Sequence, residues 1–351
     1  MALLKNVWHA AAWSQEVGDK PFARTIANEH ILLYRKAGGS IVALNDTCPH
    51  RFAPLHRGKI VNGEIECGYH GLRFNDKGAC VHNPHGDGTV PKSAAVKVYP
   101  VAEKDTLIWV WLGDPARADK AAIPEFPWLN ETDTYDFSGG HVMHMPLAWD
   151  LILDNLLDLT HGAYLHPDTL APTPDLRTET NLRRDGDRVY SLLSTFDAPP
   201  PPIWTATGAA TGKVHVDTWL EMRWDAPATF FLDVGVMPTG HGREDGNALP
   251  TVHIITPETE ETSHYFWKMF RNFSRGNPKV SEVMEEFATR AFQDEDRPMI
   301  RAVQERMAGR DFWEMDPVLL PTDAAAIQAR RMIKKLLKEE ADEAAGGAAR
   351  S

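Results

Sequence analysis

Two short stretches of the chain pair cysteine with histidine. Cys48 and His50 stand one residue apart in "CPHR", and Cys67 and His70 stand two residues apart in "CGYHG". Two thiolates and two imidazoles on tight loops make an ordinary tetrahedral zinc set. Zinc-finger ligands, however, usually come as a cysteine pair followed by a histidine pair. Here each loop carries one of each, cysteine first. That order suits a [2Fe–2S] cluster in which one iron takes both thiolates and the other both imidazoles, which raises the reduction potential above that of an all-cysteine cluster. Pro49, Gly68 and Gly71 allow tight loops whose amides approach the sulfurs. Cys80, the third of three cysteines, reads as a small buried apolar residue rather than a reactive thiol.

A cluster of this kind only moves electrons, so a destination is expected. The segment 147–166 has helical periodicity, and Asn155, Asp158 and His161 follow one another at three-residue steps on one helix face. His166 lies five residues past His161, about 140° round a regular helix. The two imidazoles meet at a metal only if the helix breaks or bulges between them, and Gly162 permits that. Two histidines on one segment are often plain core or surface residues. The acidic face Asp150, Asp154, Asp158 argues against this, because buried carboxylates need partners. Two histidines and a carboxylate form the facial triad of a non-haem Fe(II) oxygenase, with coordination positions open to O₂ and substrate. Asp296 in "QDEDRPMI" is the chosen carboxylate, with Asp294 and Glu295 beside it; spacing does not separate the three.

Elements to position these residues follow from pattern. Residues 1–118 read as a small all-β domain: a hairpin in "HILLYRKAGGSIVALND" turning at Gly38-Gly39, another in "LRFNDKGACVH" turning over 75–78, and the closing strand "TLIWVWLG". The Pro- and Ala-rich run 114–128 marks the junction. Residues 119–344 read as an α+β catalytic domain with an antiparallel sheet and helices at its ends. Its strands are "RVYSLLSTFD", "HVDTWLEMRW", "TFFLDVGVMP", "TVHIITPET" and "HYFWKMFRNF". The prolines 199–202 mark a loop, 278–308 is helical, and a last helix opens on a Thr322 cap. Residues 345–351 read as a disordered tail. The composition, 43% apolar and 25% charged, is globular, and a net charge of −12 argues against nucleic acid or an anionic membrane as partner. The opening "MALLKNVWHAAAW" lacks a signal-peptide core and no window reaches the ~20 apolar residues of a membrane helix, so a cytoplasmic protein is expected.

The motifs C-x-H-R and C-x-x-H-G, N/D-x-x-D-x-x-H with a later histidine, and a distant aspartate after glutamate resemble the Rieske non-haem iron oxygenases. "CPHRFAPL", "CVHNPHG", "LIWVWLGDP" and "HIITPETE" are most similar to the vanillate and dicamba O-demethylase branch. The resemblance implies a helix-grip-like catalytic domain, with Cys48 and Cys67 on one iron of the cluster and His50 and His70 on the other. It further implies His161, His166 and Asp296 on a mononuclear Fe(II), with Asn155 beside that iron. Asp158 would join the two centres across a homotrimer interface, hydrogen-bonding His70 of a neighbouring subunit's cluster and His161. Electrons would come from NADH through a ferredoxin and an NAD(P)H-dependent ferredoxin reductase, since no G-x-G-x-x-G fingerprint is present. The implied reaction hydroxylates the methoxy group of an aromatic substrate, giving O-demethylation with aldehyde release. N-dealkylation of a neutral anilide and aromatic ring hydroxylation are the alternatives. In that branch an Asn, a His and an aromatic residue hold an aromatic acid; Leu232, His253 and Phe287 fall at these places. Leu232 departs from the pattern, and losing an amide favours a more neutral ring. Core packing is the plain alternative for Leu232 and Phe287.

Overall fold

The computed structural model describes residues 2–126, 129, 131, 133–171 and 176–348. The chain divides into two compact units, one spanning Leu3–Glu125 and the other beginning at Phe126. No helix among the described residues is long and apolar enough to cross a membrane.

The first unit is built of short antiparallel strands: β1 (Trp8–Trp13), β2 (Phe22–Ile26), β3 (Glu29–Arg35), β4 (Ile41–Asn45), β5 (Lys59–Val61), β6 (Glu64–Glu66), β7 (Arg73–Phe74), β8 (Cys80–His82), β9 (Val101–Lys104) and β10 (Leu107–Trp111). They pair as β1-β10-β9, β2-β3-β4 and β5-β6-β7-β8. Both expected hairpins form, β3–β4 around Gly39 and β7–β8 around Gly78, each glycine at positive φ. In β3 every residue from Ile31 to Tyr34 is fully buried, so this strand serves two cores at once. Ile31 and Leu33 pack with Ala11, Tyr99 and Ile108. Leu32 and Tyr34 pack on the opposite face with Leu55, Phe74, Cys48 and Cys67. The alternation of a strand thus ties the cysteine-bearing loops to the main sheet.

The second unit holds an 8-stranded sheet: β11 (Asp136–Met145), β12 (Thr178–Asp185), β13 (Arg188–Ala198), β14 (Val216–Asp225), β15 (Thr229–Pro238), β16 (Asn247–Ala248), β17 (Thr251–Pro257) and β18 (Ser263–Arg271). The order is β11-β18-β17-β15-β14-β13-β12, with β16 added to β15. The five strands read from sequence are present, and β11 and β12 at the two ends and the short β16 are additional. Residues of β17 and β18 are buried throughout, as expected of strands covered on both faces. The helices are α1 (Trp149–Leu157), α2 (Gly162–Leu165), α3 (Pro202–Ala206), α4 (Pro278–Thr289), α5 (Arg297–Met307) and α6 (Ala324–Ala348).

Four expectations are corrected here. Helix 147–166 is not continuous: α1 stops at Asp158, whose backbone is extended, and a 3₁₀ turn over 159–161 leads into α2. The break therefore precedes His161, while Gly162 is itself helical. Helix 278–308 is interrupted by a π-helical stretch, Arg290–Asp296. Thr322 does not cap α6; it lies in a 3₁₀ turn, Pro321–Asp323, closed by the Leu320 N–H donating to Asp323. That helix runs on past residue 344 to Ala348, and residues 349–351 of the expected tail lie outside the described residues.

Candidate metal centres

The Cys48 and Cys67 loops are built alike. In each, the cysteine N–H donates to the carbonyl five residues on (Ala53 at 2.9 Å, Leu72 at 2.8 Å), and the N–H four residues on, of Phe52 or Gly71, donates back to the cysteine carbonyl at 2.9 Å. The residue at that fourth place is left-handed in both loops, Phe52 at φ 59° and Gly71 at φ 73°. Gly71 fits this demand without strain. Gly68 has a second constraint, since a Cβ there would sit 2.8 Å from the Arg57 carbonyl. The loops bury both thiols, each cysteine 2% exposed, and bring the His50 and His70 rings to 4.5 Å between centroids at the surface. Burial pushes the Cys48 thiol up to about 11, with the adjacent Cys67 adding to the rise. A thiol raised in this way becomes a thiolate only against a cation, and Cys67 with the two histidines completes a donor set of two sulfurs and two nitrogens. The residues present fit a Rieske cluster. Cys80, half-buried, lies outside the pair, its thiol donating to the His82 carbonyl at 3.5 Å.

In the second unit His161, His166 and Asp296 converge. His166 Nε2 lies 3.2 Å and His161 Nε2 3.5 Å from Asp296 Oδ1, and the two Nε2 atoms are 3.2 Å apart. Bonds of about 2.1 Å at right angles would separate ligand atoms by about 3 Å. The break at Asp158 makes this possible: Thr160 donates to the Asp158 carboxylate through its N–H at 2.9 Å and its hydroxyl at 2.5 Å, capping the turn that carries His161. The π stretch does the same from the other side, since its wider turn keeps Ala288, Phe292 and Asp296, spaced by four, facing one cavity.

The tautomers are fixed from behind. His161 Nδ1 donates to the Asp158 main-chain carbonyl, and His166 Nδ1 donates to Glu295 Oε2 at 2.8 Å. Each Nε2 is thereby left facing the carboxylate oxygen, the place where a cation would take over from a proton. The expected Asp158 contact with His161 thus comes from its carbonyl, not its side chain. Asn155 Nδ2 donates to Asp296 Oδ1 at 3.0 Å. Burial works against charge on both groups. Without a metal, Asp296 and Glu295 outweigh burial and favour the charged His166 imidazolium, and the two histidines in turn hold the Asp296 carboxyl down at about 2. Glu295, adjacent to the chosen ligand, orients His166 and also accepts from Thr169 Oγ1 at 2.6 Å; nothing in its spacing separated that role from ligation. Asp150 and Asp154 do not face the site. They pair with the fully buried Arg330 of α6 at 3.1 and 2.6 Å, so the acidic face is a structural ion-pair set.

A cavity of about 330 Å³ reaches the triad, lined by Leu220, Met222, Leu232, Phe292 and others, with no lysine or arginine among its described lining residues. Leu232 and His253 are in the wall; Phe287 is not, because Ala288 one residue on takes the inward place and Phe292 supplies the ring. Phe292 stands edge-on to His253 at 5.6 Å. His253 is 2% exposed, and burial lowers it to about 3, so it is neutral. Its Nδ1 is 2.7 Å from the Tyr265 hydroxyl, and its Nε2 has no partner. Counting donors assigns the tautomer: if Tyr265 donates to Nδ1, the hydroxyl proton is satisfied and Nε2–H is offered to the cavity, whereas the reverse strands a buried hydroxyl proton.

An all-β unit of matched Cys/His loops followed by an antiparallel-sheet unit with two histidines and a carboxylate is the plan of a Rieske-type oxygenase. Residues 7–100 match the Rieske [2Fe-2S] domain, and residues 145–339 match the vanillate O-demethylase oxygenase C-terminal domain. The oxygenase component of chloroacetanilide N-alkylformylase from Rhizorhabdus wittichii is 38% identical over 96% of both chains. The dicamba O-demethylase oxygenase component of Stenotrophomonas maltophilia is 37% identical, covering 97% of this chain and all of that one. A crystal structure of dicamba monooxygenase with non-haem iron and dicamba is 35% identical, with a TM-score of 0.76 over 98% of this chain and 100% of that one. The chain belongs to the Rieske non-haem iron oxygenases of the vanillate O-demethylase type. The Rieske match assigns a [2Fe–2S] cluster to the first unit, and His161, His166 and Asp296 form a metal site in the second.

Proposed function

We propose that the chain is the oxygenase component of a multicomponent monooxygenase that removes the methyl group of an aromatic methyl ether. Cys48, Cys67, His50 and His70 would hold the cluster, and His161, His166 and Asp296 the iron. When bound, these groups supply one-electron transfer and dioxygen activation, respectively. The polypeptide supplies the rest. The Asp158 carbonyl and Glu295 carboxylate keep the protons of His161 and His166 on Nδ1, so both Nε2 atoms remain donors to metal. Asn155 fixes the Asp296 carboxylate. Leu220, Met222, Leu232 and Phe292 exclude water and pack an aromatic ring. His253 Nε2–H donates to an oxygen on that ring's substituent. A hemiacetal formed at the ether carbon collapses to a phenol and formaldehyde without further oxidation.

The single observation carrying this reading is the convergence of two imidazole Nε2 atoms and a carboxylate oxygen at the wall of an apolar cavity. A second reading, N-dealkylation of a neutral anilide, is favoured by Leu232 and by the lack of a basic residue in the described lining, and one relative is named for chloroacetanilides. In the same proposal the chain works in the cytoplasm as a homotrimer, fed by a ferredoxin and its reductase. The Oδ2 atom of Asp158 would meet His70 of a neighbouring subunit. Support comes from the missing dinucleotide fingerprint and from relatives named as oxygenase components. The test is a reconstituted NADH-driven system screened with methoxybenzenes, methoxybenzoates and N-alkyl anilides. Stoichiometric aldehyde release supports the proposal; a ring diol carrying both atoms of labelled O₂ overturns it.

A further inference from the structure

On the sheet side of the cavity, hydrogen-bonding groups without a partner in the protein stand at two levels. One level is His253. The other is a row of threonines crossing three strands: Thr178 of β12 pairs with Thr195 of β13, which pairs with Thr218 of β14. All three line the cavity. Thr178 is exposed, while Thr195 and Thr218 are 1% and 3% exposed, so the row runs from the rim into the interior. The β13 strand bulges just beyond Thr195, an irregularity that re-aims side chains beside sites. Thr218 Oγ1 is buried with no hydrogen-bond partner. Its neighbour in the same wall, Thr251, instead donates to the Leu249 carbonyl at 3.2 Å. A buried hydroxyl left unpaired is destabilising, and the cavity is where its partner can arrive.

The two polar levels are far apart. The row through Trp224 and Phe230 reaches His253, and Trp224 lies six residues beyond Thr218 on β14. Six residues span about 20 Å of flat strand, more than one benzene ring covers even on a curled sheet.

We propose that Thr218, approached through Thr178 and Thr195, forms a second polar subsite that binds an uncharged oxygen function at the end of the substrate remote from His253. This rests on the reading that the cavity takes the substrate, and it narrows the class: an elongated neutral aromatic compound, polar at both ends, with an apolar middle packed on Leu220, Met222 and Leu232.

The test uses anaerobic, oxidised holoprotein and the quenching of tryptophan fluorescence, Trp204 lying in the wall. Two probes are compared: a methoxyphenyl-alkyl amide, and the matched compound with methylenes in place of the amide. The amide should bind about three- to tenfold tighter, the contribution of one neutral hydrogen bond. T218V should remove that preference, T195V should reduce it, and T218S should restore it. A preference that survives T218V, or equal weakening of both probes, overturns the proposal. Binding is read without O₂ or turnover, so a failed aldehyde assay, which would sink the dealkylation reading, leaves this result separate.

Discussion

Glu295 is the carboxylate whose removal reports most directly on how the iron site is built. Its Oε2 accepts from His166 Nδ1 at 2.8 Å and Thr169 Oγ1 at 2.6 Å, while Oε1 meets Arg290 Nε at 3.2 Å. E295Q keeps the volume and one acceptor but removes the charge. Hydrogen bonds to charged groups contribute about 1.5–3 kcal/mol and neutral ones about 0.5–1.5, so the substitution should lose about 1–1.5 kcal/mol of support for the His166 tautomer. The loss of outer carboxylates behind metal-bound histidines weakens metal binding about 10- to 100-fold, or about 1.4–2.7 kcal/mol. The two routes meet near a tenfold drop for E295Q, and E295A should approach a hundredfold. An anaerobic competition titration with a chelator reads the mononuclear iron, and the visible absorbance of the cluster serves as internal control. Iron affinity within twofold of wild type in E295A refutes the reasoning, as does loss of cluster and iron together.

Three further outcomes are expected. G71A places a Cβ 3.0 Å from Pro84 Cγ at a residue with φ 73°; it should lower stability by about 1–3 kcal/mol and speed cluster bleaching in urea. R330M leaves Asp150 and Asp154 without their buried partner and should cost about 3–5 kcal/mol in chemical denaturation. His9, held by the Leu4 carbonyl, is lowered by burial to about 4. The unfolded chain therefore binds the extra proton, so stability is full above about pH 6.5 and is lost by up to about 3 kcal/mol as pH falls toward 4. H9Q should flatten that acid limb in urea melts compared near pH 7 and pH 5; an unchanged slope contradicts the assignment.

The parts of the molecule that were legible in the sequence are those with a short-range signature. The spacing of Cys48, His50, Cys67 and His70 survives into two loops of one design, and the five apolar-rich runs of the second unit survive into β13, β14, β15, β17 and β18. Of the three acidic residues 294–296, Asp296 is the one whose oxygen meets both histidines. What was illegible depends on partners distant in sequence. Arg330 neutralises the acidic face of α1 from 176 residues away, so the carboxylates that suggested a metal turned out to suggest a helix pair. The π stretch depends on packing rather than composition, and it is Phe292 within it, not Phe287 of α4, that reaches the cavity. The end of α1 at Asp158 carries no glycine or proline; the side chain of Asp158 itself, capping the next turn, ends it.

Two kinds of iron held by two sets of ligands on one chain are tested most directly by counting iron and acid-labile sulfide together. Anaerobically prepared protein should give about three irons and two sulfides per chain, and D296A should lose about one iron with the sulfide unchanged. Zinc in place of iron, or an iron-to-sulfide ratio that D296A leaves untouched, would contradict the account.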